Sequence, residues 1–319
     1  MPKTTTATHT ENVILFDWLT FTCKAEGLDS VRDLLGLSDV SWQKMEKGRN
    51  GYRQRLFFEN ISILYDGADN MGICVDMSGQ GCRAFETYSS VTWDQLFSSI
   101  YFYPDDFKIT RLDVAYDDHT GLLDIERIQD DTDDHHYVSR SKTWKVEYGS
   151  AGTTIYHGSP KSNMYIRIYD KAAEQQLEDS HWIRVEMQMR DEIASGFVDG
   201  LMIHPIGDQF RGVLHNYLRY VVPASDTNMS RWPMADYWEK LLSDVQRIRC
   251  WSAPGVNYTV FNLQNLIINQ MGNALDCYLS IFGTDDLIAQ LGKRAIRKSP
   301  KYERLKQQYE ELKNRTGGK

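Results

Sequence analysis

Cysteine and proline are scarce in this 319-residue chain, which contains five cysteines and eight prolines. None of the cysteines belongs to a C-x-x-C pair; they are Cys23, Cys74, Cys82, Cys250 and Cys277. This usage argues against a disulfide framework or a thiolate zinc site and predicts a reducing, cytoplasmic location. The polar start of the chain has no apolar signal segment and no run approaches about 18 apolar residues, so no membrane association is expected.

The sequence also lacks the short motifs of the common hydrolases. It contains no G-x-x-x-x-G-K-[ST] phosphate-binding loop, no G-x-S-x-G nucleophile elbow and no H-E-x-x-H zinc motif. A His-x-His pair, which would bind a metal ion through imidazoles, is absent as well. ATP hydrolysis and hydrolysis by a serine or zinc enzyme are therefore not expected.

Acidic residues outnumber basic ones, 44 to 36, so the formal net charge is -8 and bulk charge alone gives no reason to expect nucleic acid. The segment from Leu291 to Lys319 is the exception: it carries ten Lys or Arg and three Glu, a net charge of +7. Such a run is either an electrostatic arm or the solvated face of a helix, and both interpretations remain open. The candidate DNA contacts in it are Lys293, Arg294, Arg297 and Lys298.

Hydrophobic residues make up 41% of the chain, which is enough for a sizeable core. Residues 1–11 are predicted to form a disordered lead. Strand patterns dominate residues 12–222, and Asp17 in the first strand is expected to begin a bulge or to pair with an arginine. Residues 223–319 are mostly helical in pattern and end in the basic segment. The expected fold class is α+β, with a sheet-containing domain over 12–222 and a helical C-terminal module over 223–319.

Three predicted strands place polar side chains on one face. They are residues 165–170, residues 182–189 and the segment I-T-R-L-D-V-A-Y-D-D at residues 109–118. In each of them apolar and polar residues alternate, so one face is hydrophobic and the other carries acids, cations and a tyrosine. The polar positions are Arg111, Asp113, Asp117, Arg167, Tyr169, Lys171, Arg184, Glu186 and Arg190.

A polar sheet face is usually solvated, and a tyrosine on a strand is usually a packing residue, so both interpretations stay open. If the three strands pair, however, carboxylates at Asp113, Glu186 and Asp117 face Tyr169 and its neighbouring cations. A tyrosine nucleophile needs such positive charge because its pKa lies near 10. Hard oxygen ligands favour Mg²⁺ or Mn²⁺ over Zn²⁺. The chemistry that fits this arrangement is transesterification at a phosphodiester, with no nucleotide required.

Two other segments offer weaker candidates. In M-S-G-Q-G-C-R, glycines flank Gln80 and would let the backbone approach a ligand, while Arg83 is placed to meet a phosphate; a tight turn into a helix is the alternative. For His157, the prediction of a structural histidine or a DNA contact is preferred to that of a metal ligand. The acidic run from Asp130 to His136 is predicted to be a mobile surface loop.

Six segments in this order and spacing, D-W-L-T-F-T, M-S-G-Q-G-C-R, R-L-D-V-A-Y-D-D, T-I-Y-H-G-S, Y-I-R-I-Y-D-K-A-A-E and W-I-R-V-E-M-Q-M-R-D-E, carry a resemblance to a known family. They resemble the replication initiation factor family, which comprises rolling-circle initiators and the related relaxases of conjugative elements and phages. The matches span residues 13 to about 200, and the R-I-Y-D-K block followed by W-x-R-V-E is the most specific. The helical C-terminus resembles the family only loosely.

The resemblance implies a role for each residue of these motifs. Tyr169 would be the nicking nucleophile, forming a 5′-phosphotyrosine and leaving a free 3′-OH, and Asp113 and Glu186 would hold Mg²⁺ or Mn²⁺. The residues that would bind the phosphate or position the tyrosine are Arg167, Lys171 and Glu174. The implied fold is a central antiparallel sheet with helices on one face, so residues 12–222 would be the nicking and joining domain.

The resemblance also implies DNA as the partner, in the form of an origin or transfer-origin hairpin that is single-stranded at the nick. Family members often recruit a host helicase, and the sequence leaves open whether the chain is a monomer or a homodimer. His157 stands where an aromatic residue is commoner in the family. The further predicted DNA contacts are Arg83, Gln80, His157, Arg184 and Arg190.

Sequence-specific DNA nicking and joining is therefore the predicted function, and replication cannot be separated from conjugative transfer or a phage role. The first alternative is a catalytically inactive protein that binds an origin as a regulator. The second is a metal-dependent nuclease that uses water in place of tyrosine.

Overall fold

The computed structural model describes residues 11–24, 27–149, 152–177, 180–246, 267 and 272–293. These residues form an α+β fold built on a ten-stranded antiparallel sheet. The twelve strands are β1 (Val13–Cys23), β2 (Gln43–Met45), β3 (Gln54–Phe58), β4 (Ile61–Tyr65), β5 (Ile73–Met77), β6 (Phe107–Asp118), β7 (Tyr137–Ser139), β8 (Trp144–Gly149), β9 (Gly152–His157), β10 (Met164–Asp170), β11 (Ile183–Arg190) and β12 (Leu218–Tyr220). In the sheet they follow the order β2-β3-β4-β5-β1-β6-β11-β10-β9-β8, and β7 pairs separately with β12.

Helices lie between and after the strands. They are α1 (Leu28–Leu34), α2 (Gly79–Tyr88), α3 (Trp93–Phe102), α4 (Ile125–Asp133), α5 (Lys171–Glu174), α6 (Asp191–Leu201), α7 (Ile206–Tyr217), α8 (Asp236–Val245) and α9 (Gly272–Lys293), with a 3₁₀ turn at Met229–Arg231. The predicted fold class, a large antiparallel sheet with helices and a C-terminal helix, is confirmed. Within the described ranges, no helix has both the length and the apolar character needed to span a membrane.

The central strands β6, β11 and β10 have one largely apolar face, as their period-two pattern predicts. Leu112, Val114, Ile166, Val185 and Met187 are completely buried. Helix α6 packs against β6 and β11, and Phe210 of α7 reaches the Tyr116 ring of β6 with 6.5 Å between ring centroids. Burial of this face supplies the hydrophobic driving force that fixes the register of the three strands.

The opposite face of the same strands is polar and is also largely buried. Asp113, Asp117 and Glu186 are each at most 2% exposed. The face is therefore not the solvated side of a half-exposed sheet, and its charged groups need partners inside the protein. These partners form the candidate site.

The strand β1 is irregular where it passes this polar face. Its register against β6 shifts between Phe16 and Trp18, so Asp17 is the extra residue of a bulge. A bulge re-aims one side chain and increases the local twist. The prediction that Asp17 begins a bulge or pairs with an arginine is confirmed on both counts, as its contact with Arg184 shows.

Two segments differ from their predicted structure. The acidic run predicted as a loop is mostly the end of α4, where Asp124 caps the first turn and Ile128 and Thr132 are buried. The M-S-G-Q-G-C-R segment is the start of α2, so its glycines lie inside a helix. A Cβ on Gly81 would come 2.4 Å from the backbone oxygen of Asn60, which explains a glycine there by close packing.

The described residues divide into two compact units. The first contains the whole sheet and comprises 11–24, 41–84 and 105–246, apart from the gaps given above. The second comprises 27–40, 85–104, 267 and 272–293. The boundary predicted at residue 222 falls within the first unit, which includes α8. The assignment of functions to the predicted domains stays a prediction.

Candidate active site

The polar face brings together residues from strands that are far apart in the sequence. Strand β11 lies between β6 and β10, as the predicted pairing of the three strands requires. Arg167 of β10 is opposite Glu186 of β11, and Tyr169 is opposite Arg184. Asp113 of β6 is opposite Gln188. Side chains opposite or diagonal to one another on one sheet face are within contact distance.

The first charged cluster contains the predicted nucleophile and two predicted metal ligands. The Tyr169 hydroxyl donates a hydrogen bond of 3.1 Å to Glu186 Oε2, and Arg167 donates to Glu186 Oε1. Arg167 Nη2 also lies 3.9 Å from Asp113 Oδ2. Arg111 holds the same carboxylate in a two-point contact, with Nε 2.9 Å from Oδ1 and Nη2 2.6 Å from Oδ2. Tyr169, Glu186, Arg167 and Asp113 thus form one connected group, which we call the tyrosine cluster.

The tyrosine cluster reaches solvent through its arginines. Asp113 and Glu186 are almost inaccessible and Tyr169 is 8% exposed. The Arg167 side chain is 31% exposed and that of Arg111 is 19% exposed. An anion arriving from solvent would therefore meet the guanidinium groups first, with the carboxylates and the phenol behind them.

Burial controls the protonation of this cluster. Burial, followed by the negative charge of Glu186, raises the pKa of Tyr169 well above its ordinary value, and the Arg184 charge opposes this shift. Burial also raises the pKa of Asp113 to about 7; the Glu186 charge adds to that rise, and the Arg111 hydrogen bond opposes it. The phenol is accordingly neutral in the free protein, and its ionisation calls for additional positive charge.

Asp113 and Glu186 fit a hard divalent cation, although the protein supplies few ligands. Among the described residues, no group of three or more His, Cys, Asp or Glu side chains is close enough to hold a metal ion. Mg²⁺ commonly binds proteins through one or two carboxylates and keeps several waters or substrate oxygens. Burial is the main cause of the raised pKa of Asp113 and the Glu186 charge adds to it, so a bound cation would favour the ionised carboxylate.

Asp117 belongs to a second cluster and not to the predicted metal site. Arg184 Nε and Nη2 contact Asp117 Oδ1 and Oδ2 at 2.6 and 2.7 Å, and Nη1 contacts Asp17 Oδ2 at 2.9 Å. Burial by itself would raise the pKa of Asp117, but the Arg184 charge outweighs it and the pKa is lowered. This geometry does not support Asp117 as a third ligand. It also corrects the prediction that Arg184 contacts DNA, because the side chain is buried and its donors face carboxylates.

A third cluster on this face was not predicted from the sequence. The Asp76 carboxylate accepts hydrogen bonds from Trp18 Nε1 at 3.0 Å and from Thr20 Oγ1 at 2.7 Å, and it pairs with Arg49. The Arg111 guanidinium lies 3.9 Å from the centre of the Trp18 ring, which connects this cluster to Asp113. A cation stacked on an aromatic ring keeps its charge while the ring fixes its position.

The remaining predicted residues have different surroundings. Lys171 pairs with Glu174, and its Nζ lies 5.5 Å from the centre of the Tyr169 ring. Arg83 donates to the backbone oxygen of Phe16 at 2.6 Å, next to the Asp17 bulge. Gln80 is exposed and accepts a hydrogen bond from Asn60.

Arg190 is half-buried at the end of β11. Lys293 is the last residue of α9, and Arg294, Arg297 and Lys298 lie outside the described residues. As DNA contacts, Arg190 and these four C-terminal residues stay predictions.

His157 is a core residue, in agreement with its prediction as a structural histidine, and its burial does not support the other prediction, a DNA contact. It is fully buried, its Nε2 lies 3.0 Å from the Tyr220 hydroxyl, and the Tyr137 ring packs edge-on against it. Burial lowers the pKa of His157 to about 3, so the ring is neutral. The sequence did not show which residues cover this histidine, since they come from β7 and β12.

Comparisons with known proteins agree with the geometry. A family model described as Replication initiation factor matches residues 107–291, and one described as Rolling Circle replication initiation protein N-terminal domain matches residues 13–99. The putative DNA relaxase NicK of Bacillus subtilis (strain 168) is 28% identical over 265 residues, covering 76% of this chain and 74% of that protein. The solved rolling-circle replication initiator protein of Geobacillus stearothermophilus is 33% identical, with a TM-score of 0.72, and covers 76% of this chain and 99% of that one.

The Arg184 cluster generates a prediction about stability. Arg184→Met should lower the free energy of unfolding by about 3–5 kcal/mol, because it leaves Asp117 buried without a counter-charge. Arg53→Met is the matched control: Arg53 pairs with Asp66 at the surface, and its loss should cost about 1 kcal/mol or less. Urea denaturation of both variants measures the difference. Equal losses would show that the Arg184 cluster does not hold β1, β6 and β11 together.

The raised pKa of Asp113 predicts a pH-dependent effect. The folded protein keeps this carboxyl protonated up to about pH 7, whereas the unfolded chain releases the proton near the ordinary value of 3.8. The stability that the group contributes is therefore present at low pH and lost as the pH rises to about 7. The Asp113→Asn variant has no carboxyl group to titrate here. Its free energy of unfolding, relative to that of the parent protein, should therefore rise by about 1–3 kcal/mol from pH 5 to pH 8.

The measurement is urea denaturation at both pH values in the presence of a chelator. Asp66→Asn is the control, because hydrogen bonds from Gln54 and Arg53 lower the pKa of Asp66 and the group does not titrate in this interval. If the difference in unfolding free energy between Asp113→Asn and the parent is the same at pH 5 and pH 8, the raised pKa of Asp113 is contradicted.

Proposed function

Because the chain belongs to the replication initiation factor family, we propose that it nicks and rejoins one strand of DNA through Tyr169, assisted by a divalent cation at Asp113 and Glu186. The similarity to a DNA relaxase and to a rolling-circle initiator supports DNA nicking in general. The observation that carries the specific proposal is the hydrogen bond from the Tyr169 hydroxyl to Glu186, inside a cluster that also holds Arg167 and Asp113. Replication and conjugative transfer begin with this same step, so the proposal covers both.

The chemical step conserves the energy of the phosphodiester. The Tyr169 oxygen attacks the scissile phosphorus, the bond from phosphorus to the 3′ oxygen breaks, and a 5′-phosphotyrosine forms. Glu186 Oε2, which already accepts the phenol hydrogen bond, is positioned to take the proton, and the departing 3′ oxygen ends as a hydroxyl after gaining a proton. Rejoining is the reverse reaction, so no nucleotide is consumed.

The cations near Tyr169 would bind the phosphate and favour the phenolate. Arg167 is next to the phenol along the strand face and is partly exposed, and Lys171 lies beside the Tyr169 ring. A guanidinium group contacts two phosphate oxygens at once, which suits orientation of the scissile group. Arg184, opposite Tyr169 and buried, would act on the phenol through its charge and not by contacting DNA.

Asp113 and Glu186 are the residues that would hold the cation. Mg²⁺ or Mn²⁺ bound there would add positive charge beside the phenol and polarise a phosphate oxygen. In the free protein the two carboxylates are neutralised by Arg111 and Arg167. Those arginines hold the carboxylates close together, so the ligands are preorganised before an ion arrives.

One observation favours the alternative of an inactive origin-binding protein. Tyr169 is only 8% exposed and its hydroxyl points to a buried carboxylate. A nucleophile in this position needs the phosphate to approach past Arg167. The two functions differ in whether a strand is cut, which the following experiment decides.

Tyr169→Phe should abolish nicking, with a loss of more than about a thousandfold, because it removes the attacking oxygen and leaves the ring in place. The assay is conversion of supercoiled plasmids, carrying fragments of the DNA in which the gene resides, to open circles with Mn²⁺ present. Tyr165→Phe is the matched control: Tyr165 is on the same strand face and is equally buried, at 8% exposed. It should retain activity within about threefold of the parent.

A protein–DNA adduct that survives boiling in detergent should form with the parent and with Tyr165→Phe, but not with Tyr169→Phe. Nicking without any such adduct would indicate a water-using nuclease. DNA binding without nicking by the parent protein would favour the inactive origin binder.

The cation site gives a separate prediction. Asp113→Asn and Glu186→Gln should each weaken Mn²⁺ binding by about tenfold to a hundredfold, as measured by titration calorimetry without DNA. Asp76→Asn is the matched control, since Asp76 is a buried carboxylate on the same face that also pairs with an arginine. Its Mn²⁺ affinity should equal that of the parent. Equal weakening in all three variants would place the ion elsewhere or indicate a general effect on the fold.

A further inference from the structure

A pocket of about 670 Å³ opens beside the tyrosine cluster, in the first unit of the chain. Its walls come from β1, from the start of α2 and from the segment that leads into β11. Ligand sites in proteins commonly have volumes of about 300–1,000 Å³. The proposed nicking step uses few of the residues that line this pocket.

Two lining residues connect the pocket to Tyr169. Lys171 lines the pocket and its Nζ is 5.5 Å from the centre of the Tyr169 ring. Arg184 lines the pocket and is opposite Tyr169 in the register of β10 and β11. Tyr169 does not itself line the pocket, so a group inside the pocket would be separated from it by the side chain of Lys171 or Arg184.

We propose that this pocket receives one unpaired nucleotide of the DNA strand next to the nick, with its phosphate near Lys171 and its base toward Trp182 and Asp17. This deepens the proposed function, on which it rests for DNA as the partner. The nucleotide would be held out of the path of the duplex, which fixes the scissile phosphate relative to Tyr169.

The lining has the mixed character that a nucleotide requires. Val13 and Leu15 supply aliphatic surface and Trp182 supplies an aromatic ring, on which a base can stack. The Trp182 ring also contacts His119, with 5.1 Å between centroids, so stacking surface continues along this wall.

Lys171 and Arg83 are the lining cations that a phosphate could contact, because Arg184 is already bonded to Asp17 and Asp117. Three cationic residues, Arg83, Lys171 and Arg184, face two carboxylates, Asp17 and Asp117. Both oxygens of Asp117 are already bonded to Arg184. The lining cations outnumber the lining carboxylates by one, and Lys171 also pairs with Glu174. An inorganic phosphate would use only this part of the pocket and would leave the aromatic wall without a role.

Asp17 supplies a hydrogen-bond acceptor for the base. Arg184 donates to its Oδ2, and no residue in the described part of the chain donates to its Oδ1. The amino and imino groups of a base are donors that would fit this oxygen. A Cβ at position 79 would come 2.8 Å from the same oxygen, so Gly79 leaves room beside it.

The test is a scan with abasic sites in a fluorescently labelled single strand, bound to the Tyr169→Phe protein so that the strand is not cut. The strand spans the nick mapped in the plasmid assay or, if no nick is found, comes from the fragment that binds most tightly. At one position next to the nick, removal of the base should weaken binding by about tenfold to a hundredfold. A scan in which no position changes the affinity more than about twofold would overturn the proposal, even if nicking is observed.

A second measurement assigns that position to the pocket. In Trp182→Leu the abasic site should cause little further loss, because the stacking surface is already gone. Trp144→Leu is the matched control, a half-buried tryptophan on β8 that does not line the pocket, and it should keep the full abasic effect. An equal abasic effect in both variants would place the base elsewhere.

Gly79→Ala provides an independent variant should Trp182→Leu fail to fold. Its added methyl group would occupy the space beside Asp17 Oδ1 and should reduce binding of the intact strand more than binding of the abasic strand. Gly196→Ala, in α6 with nothing within 4 Å of the added carbon, should change neither. Equal reduction of both strands by Gly79→Ala would contradict the proposal.

Discussion

The structure depends on how the buried carboxylates of the polar sheet face are neutralised. Each of the four lies almost out of reach of water and is paired with an arginine; the pairs are Asp76 with Arg49, Asp113 with Arg111, Asp117 with Arg184 and Glu186 with Arg167. Because a buried charge without a partner costs several kcal/mol, loss of any of these arginines would destabilise the fold. A sheet face that carries so much charge can only be buried if the strands keep one register. The apolar face gives the fold its stability, and the polar face gives it a single arrangement of acids and bases.

Tyr169 lies next to two of these carboxylate–arginine pairs. Its hydroxyl is bonded to Glu186 of one pair, and Arg184 of another pair is directly across the strand. The carboxylate and the burial keep the phenol neutral, while the guanidinium favours its ionisation. The balance favours the neutral phenol in the free protein. Positive charge added beside Glu186 would shift it, because the Glu186 charge is one of the causes of the raised pKa of Tyr169. On the proposed function, the site is therefore unreactive until the other components of the reaction are in place.

The sequence predicted this arrangement only in part, for physical reasons. The alternation of apolar and polar residues in β6, β10 and β11 was enough to place Asp113, Tyr169 and Glu186 on one face, because strand periodicity is local. Which cation neutralises which acid was not predictable, since Asp117 and Arg184 are far apart in the sequence and their pairing depends on register. The same limit applies to His157, whose covering residues come from β7 and β12. The acidic run was predicted to be a loop because of its composition. It lies mostly in α4, which is held against the protein by the buried side chains of Ile128 and Thr132.

The charge of this protein shows why net charge is a poor guide to its partner. At physiological ionic strength, exposed charges more than about 8 Å apart are largely screened, so the acidic remainder of the chain has little influence on a phosphate at the site. On the polar face, acids and cations are nearly balanced, but the acids are buried and the partly exposed groups include Arg111 and Arg167. A phosphate that approaches the site therefore meets guanidinium groups even though the chain carries -8 overall. For Asp113 and Glu186, the arginine of the ion pair lies nearer to solvent than the carboxylate, and this decides which charge an approaching anion meets.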